Sequence, residues 1–304
     1  MTAGPVVLVG TTASGKSGVA LEVARRLGDV EILSVDSMSV YRELDIGTAK
    51  PTAAVRAEIP HHLVDLVDPA EEFTVAQFQR AATAALAVVA ERRHRPLLVG
   101  GTGLYVRSVV DDLDLPGRWP AVRAELEADA GSPDRLAALH ARLRRLDPVA
   151  AARTTATNER RIVRALEVTL GSGRPFSSFG PGLESYPPTR FTLIGLRFLP
   201  APVDQEIEAR VADWLAAGWL EEVRRLVARP AGLSRTARQA LGYQELLAHL
   251  EGSISLDEAV EAAVRRTRSF ARRQWAWFRR DPRVHWVDSR REATDAVAAA
   301  LRVG

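Results

Sequence analysis

The stretch PVVLVGTTASGKSGVALEVARRLG, residues 5–28, decides the reading of the fold. Its apolar start, PVVLV, has the length and composition of a short buried strand, and residues 17–27 carry helical apolar spacing that stops at Gly28. Between them Gly10, Thr11, Thr12, Ala13, Ser14, Gly15, Lys16 and Ser17 fit G-x-x-x-x-G-K-[ST], in the strand-to-helix setting that motif requires. The glycines let backbone N–H groups wrap a phosphate, and the helix N-terminus adds partial positive charge. Lys16 can reach the outer phosphate, and Ser17 can ligand a magnesium ion. All eight residues are therefore candidate diphosphate ligands. Such a loop reads a diphosphate without specifying what the diphosphate carries.

Working outward, residues 31–35 (EILSV) make a second strand with Asp36 at its tip. Residues 96–99 (PLLV) make a third, running into Gly100, Gly101, Thr102 and Gly103, and residues 75–92 between them have helical spacing. Strands alternating with helices imply parallel crossovers, hence an α/β fold with a P-loop NTPase-like parallel sheet whose ligands bind at the carboxyl ends of the strands. After residue 116 the texture changes to Ala, Arg, Glu and Leu at helical spacing (121–130, 133–146, 158–170), and strand character resumes only at 191–196 (FTLIGL). The expected organisation is a core of residues 1–116 and 189–304 with an inserted helical domain at 117–188. Further helices are expected at 203–217, 220–228, 237–250, 256–280 and 291–302, with a last strand at 284–287.

Composition narrows the function classes. A chain of 304 residues with 46% apolar content is long enough for a sizeable core. Without cysteine there is no disulfide framework, thiolate zinc site or thiol nucleophile, and six scattered histidines do not read as a metal cluster. No signal-peptide pattern opens the chain and no apolar run approaches the roughly 20 residues of a membrane span, so the expectation is a cytoplasmic protein with no membrane partner. Net charge is only +3, but of 41 basic residues just Lys16 and Lys50 are lysines. Against a composition so biased to arginine, each lysine marks a candidate place where a compact ammonium works and a planar guanidinium does not.

Asp36 reads either as a base facing the diphosphate or as a cap or outer magnesium ligand. Thr102 reads as a helix N-cap or as part of a loop leaving room for substrate. No acid follows PLLV, where a P-loop NTPase would carry its Walker B carboxylate, which weakens ATP hydrolysis as the activity. In residues 265–283, Arg265, Arg268, Arg272 and Arg279 share one helical face and Phe270 and Trp277 another, a pattern that suits RNA phosphate contact with a packed rear.

The blocks GTTASGKS from residue 10, SVDSMSVYRELDIGTAKP from 34, PHHLVD from 60, LLVGGTGLYV from 97, DPVAAAR from 147, RRIVRALEV from 160, QALGYQEL from 239 and RRQWAWFRRD from 272 resemble, in order and spacing, the tRNA dimethylallyltransferase (tRNA isopentenyltransferase) family. The resemblance runs over nearly the whole chain. It implies transfer of a dimethylallyl group from dimethylallyl diphosphate to the exocyclic N6 amine of the adenosine 3′-adjacent to the anticodon, with Mg2+, in a tRNA anticodon stem-loop bound by a monomer. It further implies Asp36 as base, Thr102 as a contact to the adenine, and Arg210 as a cation neutralising diphosphate. Ser37, Met38, Ser39, Arg123, Arg160, Arg161, Arg164, Arg238, Gly242 and Tyr243 fall on tRNA-contacting motifs. Departures are Thr11 where Pro is usual, Ser39 where Gln is frequent, Glu206 in place of the first arginine of R-I-x-x-R, and Thr155-Ala156-Thr157-Asn158 in place of an I-H-P-N-like run. On the residues alone, a P-loop small-molecule or nucleotide kinase and a non-catalytic RNA-binding module stay open.

Overall fold

The protein's structure, a computed structural model, describes residues 4–303. The chain divides into two compact units, Met1–Asp112 with Pro188–Gly304, and Leu113–Pro187.

The first unit begins with β1 (Val6–Val9), α1 (Lys16–Leu27), β2 (Val30–Val35), α2 (Ala53–Glu58), β3 (His61–His62), α3 (Val75–Glu91), β4 (Arg95–Gly100) and α4 (Gly103–Val110). The second unit holds α5 (Pro120–Asp129), α6 (Pro133–Leu146), α7 (Pro148–Ala152), α8 (Glu159–Ser172) and a 3-10 turn at Phe176–Ser178. The first unit then resumes with β5 (Thr192–Leu196), α9 (Pro200–Ala216), α10 (Trp219–Val227), α11 (Arg235–Arg238), α12 (Tyr243–Leu250), α13 (Leu256–Phe278), β6 (Val284–Val287) and α14 (Arg290–Arg302).

All strands pair in parallel in the order β3-β2-β4-β1-β5-β6. The chain crosses to one side of β1 for β2, β3 and β4 and to the other for β5 and β6. The order therefore reverses at β1, where ligands of open α/β sheets bind. Residues of β1 and nearly all of β2 are buried on both faces, as a helix-covered parallel sheet requires. Val7, Val9, Leu33, Val35 and Leu98 face one core with Phe78, Val106, Trp219 and Tyr243, whereas Val6, Leu8, Ile32, Leu97 and Ile194 face the other with α1 and α14.

Two expectations are corrected here. The single helix expected at 237–250 is broken into α11 and α12, because Gly242 adopts φ +81° and a Cβ there would lie 1.9 Å from the Trp219 ring. The edge strand β3 and helix α2 were not expected. Two residues of strand are too few for a periodicity signal. What pins β3 is a side chain on its neighbour: buried Glu31 accepts hydrogen bonds from His94 Nδ1 (2.7 Å) and Arg92 (3.2 Å) and contacts His62 Nε2 at 2.5 Å.

The helical unit has its own core of Leu126, Leu139, Leu143, Ile162 and Leu166. Asp147, buried, caps α7 through Ala150 N (2.9 Å) and also accepts from Ser177 N and Ser177 Oγ (both 2.7 Å). Burial pushes its carboxyl up, but these hydrogen bonds outweigh that and hold it below the usual range.

Candidate active site

The carboxyl ends of β1, β2 and β4 present three loops side by side. After β1, Gly15 takes φ +91° as the residue preceding α1, and Ala13 also has positive φ (61°). The Thr11 carbonyl accepts from Ser14 Oγ (2.9 Å) and from Lys16 Nζ (2.5 Å), so the ammonium is folded back onto the loop. Burial and the nearby Arg210 lower the Lys16 pKa to about 7, against the opposing pull of Asp36. Arg210 comes from α9. Its guanidinium lies 3.5 Å from Thr12 Oγ1 and 3.7 Å from Glu206, the residue one helical turn earlier. Lys16, Arg210 and Asp36 thus share one field, with two cations and one carboxylate around the loop. Ser17 is exposed on the first turn of α1.

After β2, Asp36 accepts from the backbone N–H of Met38 (2.7 Å) and Ser39 (3.1 Å). Both bonds fall on Oδ1, and among the described residues none falls on Oδ2. After β4, Thr102 occupies the N-cap position of α4, yet its side chain makes no cap. Its Oγ1 instead accepts from Ser37 N (3.3 Å), which joins the Asp36 loop to the Thr102 loop. The acid absent after β4 has no substitute from Asp111, whose carboxylate pairs with Arg107 and with Arg283 (2.6 Å).

Lys50 serves a different purpose from Lys16. Its Nζ is buried and donates to Tyr41 O, Asp45 Oδ1 (2.8 Å) and Asp65 Oδ1 (2.6 Å), closing the loop that follows Asp36. A second brace comes from Glu222 on α10, which accepts from the N–H groups of Asp45 (3.1 Å) and Ile46 (2.9 Å).

The expected RNA contacts separate into two groups. Arg160, Arg161 and Arg238 are exposed, and Ser37 and Met38 are half-buried. Tyr243 is fully buried, and its hydroxyl donates to Glu222 (2.5 Å), so its ring packs in the core. Gly242 and Ser39 are buried as well, Gly242 against Trp219 and Ser39 in the Asp36 turn. Arg123 and Arg164 converge on the buried Glu167 (3.3 and 3.0 Å), which also accepts from Trp119 N. The arginine face of α13 is paired with acidic side chains. Arg268 and Arg272 pair with Glu208 and Asp204 of α9, and Arg265 with Glu261, although Arg265 and Arg272 stay exposed. Among the described residues, the exposed Arg279 and Arg280 carry no ion pair.

Two residues against the phosphate loop escaped the sequence reading. Gln274 of α13, buried, accepts from Thr12 N (2.7 Å) and donates to Gly101 O (2.8 Å). Its one sequence signal is a polar residue on the core face of a helix, between Ala271 and Phe278. Arg290, the first residue of α14, lies across the loop so closely that a Cβ on Gly15 would be 2.2 Å from its Nε. Nothing in local sequence points to that contact, which joins residues far apart in the chain.

A family model described as IPP transferase matches residues 39–281. The chain belongs to the IPP transferase family. Among relatives of this family, a tRNA dimethylallyltransferase of a Nocardioides species is 48% identical over 284 residues, covering 93% of this chain and 90% of its own. One from Streptomyces avermitilis is also 48% identical, covering 93% and 89%. The fold matches a crystal structure of a tRNA isopentenylpyrophosphate transferase from Bacillus halodurans with a TM-score of 0.70, 36% identity and coverage of 99% and 98%. It also matches a eukaryotic dimethylallyltransferase acting on tRNA, with a TM-score of 0.77, 26% identity and coverage of 96% and 74%. As an IPP transferase the chain is a prenyl-transferring enzyme with the expected P-loop-like α/β core. Among the described residues no helix is long and apolar enough to cross a membrane, and no group of three or more acidic or histidine side chains is arranged to hold a metal.

Proposed function

We propose that the protein transfers the dimethylallyl group of dimethylallyl diphosphate to the N6 amine of the adenosine 3′-adjacent to the anticodon of tRNA. The observation that carries this reading is the pairing of a phosphate loop with a carboxylate at the same sheet end, Asp36, whose Oδ2 has no hydrogen bond among the described residues, while the strand tip after β4 lacks an acid for nucleotide hydrolysis. The names of the relatives above support a dimethylallyl group as what is transferred and tRNA as what receives it.

An adenine amine is a weak nucleophile, since its lone pair is delocalised into the ring. As the N6–carbon bond forms and the carbon–oxygen bond to diphosphate breaks, Asp36 accepts the proton that N6 loses. Lys16, Arg210 and the loop N–H groups stabilise charge growing on the departing diphosphate. Thr102 and Ser37, already joined, line the side from which the base arrives. The amine becomes reachable when the base leaves its stack, which costs least in a single-stranded anticodon loop. A hard cation bound largely through diphosphate oxygens suits a site with few protein carboxylates, and Ser17 would hold Mg2+ there, supplying countercharge to the leaving group. The exposed cations Arg160, Arg161, Arg238, Arg279 and Arg280 are the proposed RNA contacts. The enzyme is read as a cytoplasmic monomer.

Incubation of unmodified tRNA with labelled dimethylallyl diphosphate or with labelled ATP tests the proposal. Label from the former should enter one adenosine with release of diphosphate. Phosphoryl transfer from ATP, or tight RNA binding without product, would replace it with a kinase or a binding protein.

A further inference from the structure

We infer that Gln274 is a positioning residue that ties the diphosphate loop to the loop presenting Thr102, so that donor and acceptor are held in one frame. The inference rests on the functional reading above and assigns a duty to a residue of α13 with no place in that chemistry.

The side chain is 6% exposed and its amide is used at both ends. Oε1 accepts from Thr12 N in the loop after β1 (2.7 Å), and Nε2 donates to Gly101 O in the loop after β4 (2.8 Å). The orientation is fixed by its partners, since a backbone N–H must donate and a carbonyl must accept. No other uncharged side chain of this length offers one acceptor and one donor side by side. The surroundings are shaped for it: a Cβ on Gly101 would lie 2.3 Å from Gln274 Nε2, so glycine is required where the amide crosses the loop. One turn further on, the Trp277 ring approaches Gly103 just as closely, with 2.3 Å to a Cβ built there. Helix α13 thus braces both loops from behind, and Gln274 is the only one of these contacts that holds two loops at once.

The amide also makes a test that packing alone cannot mimic. In Gln274→Glu the protonated carboxyl can still accept from Thr12 N and donate to Gly101 O, whereas the carboxylate sets a negative charge against a carbonyl oxygen. Burial and that repulsion raise the new group's pKa against the opposing pull of Lys16 and Arg210 at the same loop, so the pairings return as pH falls. Losing a buried backbone partner costs about tenfold in an equilibrium constant. Gln274→Met, of similar volume, should bind inorganic diphosphate about tenfold more weakly and transfer the prenyl group about tenfold more slowly in single turnover. Its melting temperature should stay within a few degrees and its tRNA affinity within about threefold. Gln274→Glu should show both defects at pH 8.5, and its ratio to wild type should recover about tenfold by pH 6. A pH-independent ratio for Gln274→Glu, or wild-type binding and rate in Gln274→Met, would overturn the assignment. A wild-type chain that transfers nothing from dimethylallyl diphosphate but keeps a Gln274-dependent affinity for inorganic diphosphate overturns the functional reading and leaves this one standing.

Discussion

At Asp36 the turn geometry and the proposed chemistry use different oxygens. Asn at this position keeps an acceptor for Met38 N and Ser39 N, so Asp36→Asn should fold and bind tRNA normally while losing a factor of about 10² or more in single-turnover rate. Lys16 allows a second prediction. Its pKa of about 7 means that the free enzyme sheds this charge as pH rises past neutrality, and a bound diphosphate restores it. Donor affinity should therefore fall above about pH 7 with proton uptake on binding, measurable by calorimetry in buffers of different ionisation enthalpy. Lys16→Arg should lose that pH limb because guanidinium stays charged, and should bind the donor nearly as poorly as Lys16→Ala because the planar group does not fit against Thr11 O. A third concerns stability: Thr11 Oγ1 is buried with no hydrogen-bond partner among the described residues, so Thr11→Val should raise the unfolding free energy by about 1 kcal/mol, and the melting temperature with it. The arginine bias made both lysines conspicuous, yet only the motif spacing told them apart. Lys16 sits in a phosphate loop, whereas Lys50, with three acceptors converging on one buried ammonium, holds a loop together.

Among the elements, legibility followed period and length. Long amphipathic helices such as α6 and α8 and the uninterrupted apolar strands were readable because their pattern is local. The break between α11 and α12 was not, since a tryptophan on α10 demands the glycine that makes it. For the same reason the ion pairs on the basic face of α13 were not readable: its partners Asp204 and Glu208 lie on α9, some sixty residues earlier. In the helical unit, Glu167 neutralises Arg123 and Arg164 from a buried position. Glu167→Leu should leave two partly buried guanidinium groups and the Trp119 N–H without that partner. Thermal melting should register a loss of about 2–3 kcal/mol, discounted for the partial exposure of both arginines.

For the molecule as a whole, the two stretches of core chain that flank the helical unit in sequence are tied together, since Thr189 Oγ1 donates to Val110 O at 2.9 Å. Replacing residues 113–187 with a short glycine linker should leave diphosphate binding intact and abolish tRNA modification, and comparable modification by the truncated chain would remove the unit from RNA recognition. In the intact protein, tRNA affinity should fall with added salt, at a slope set by the phosphates contacted. The strand order has a further consequence, for synthesis. The central strand β1 pairs with β4 and with β5, so Val6 meets Thr192 only after 186 intervening steps of the chain. At about 5–20 residues per second, one edge of the first strand made stays bare for about 10–40 s on the ribosome. Nascent chains stalled before β5 emerges should be cut readily by protease and held by chaperones, with resistance arriving abruptly once residues 192–196 clear the exit tunnel.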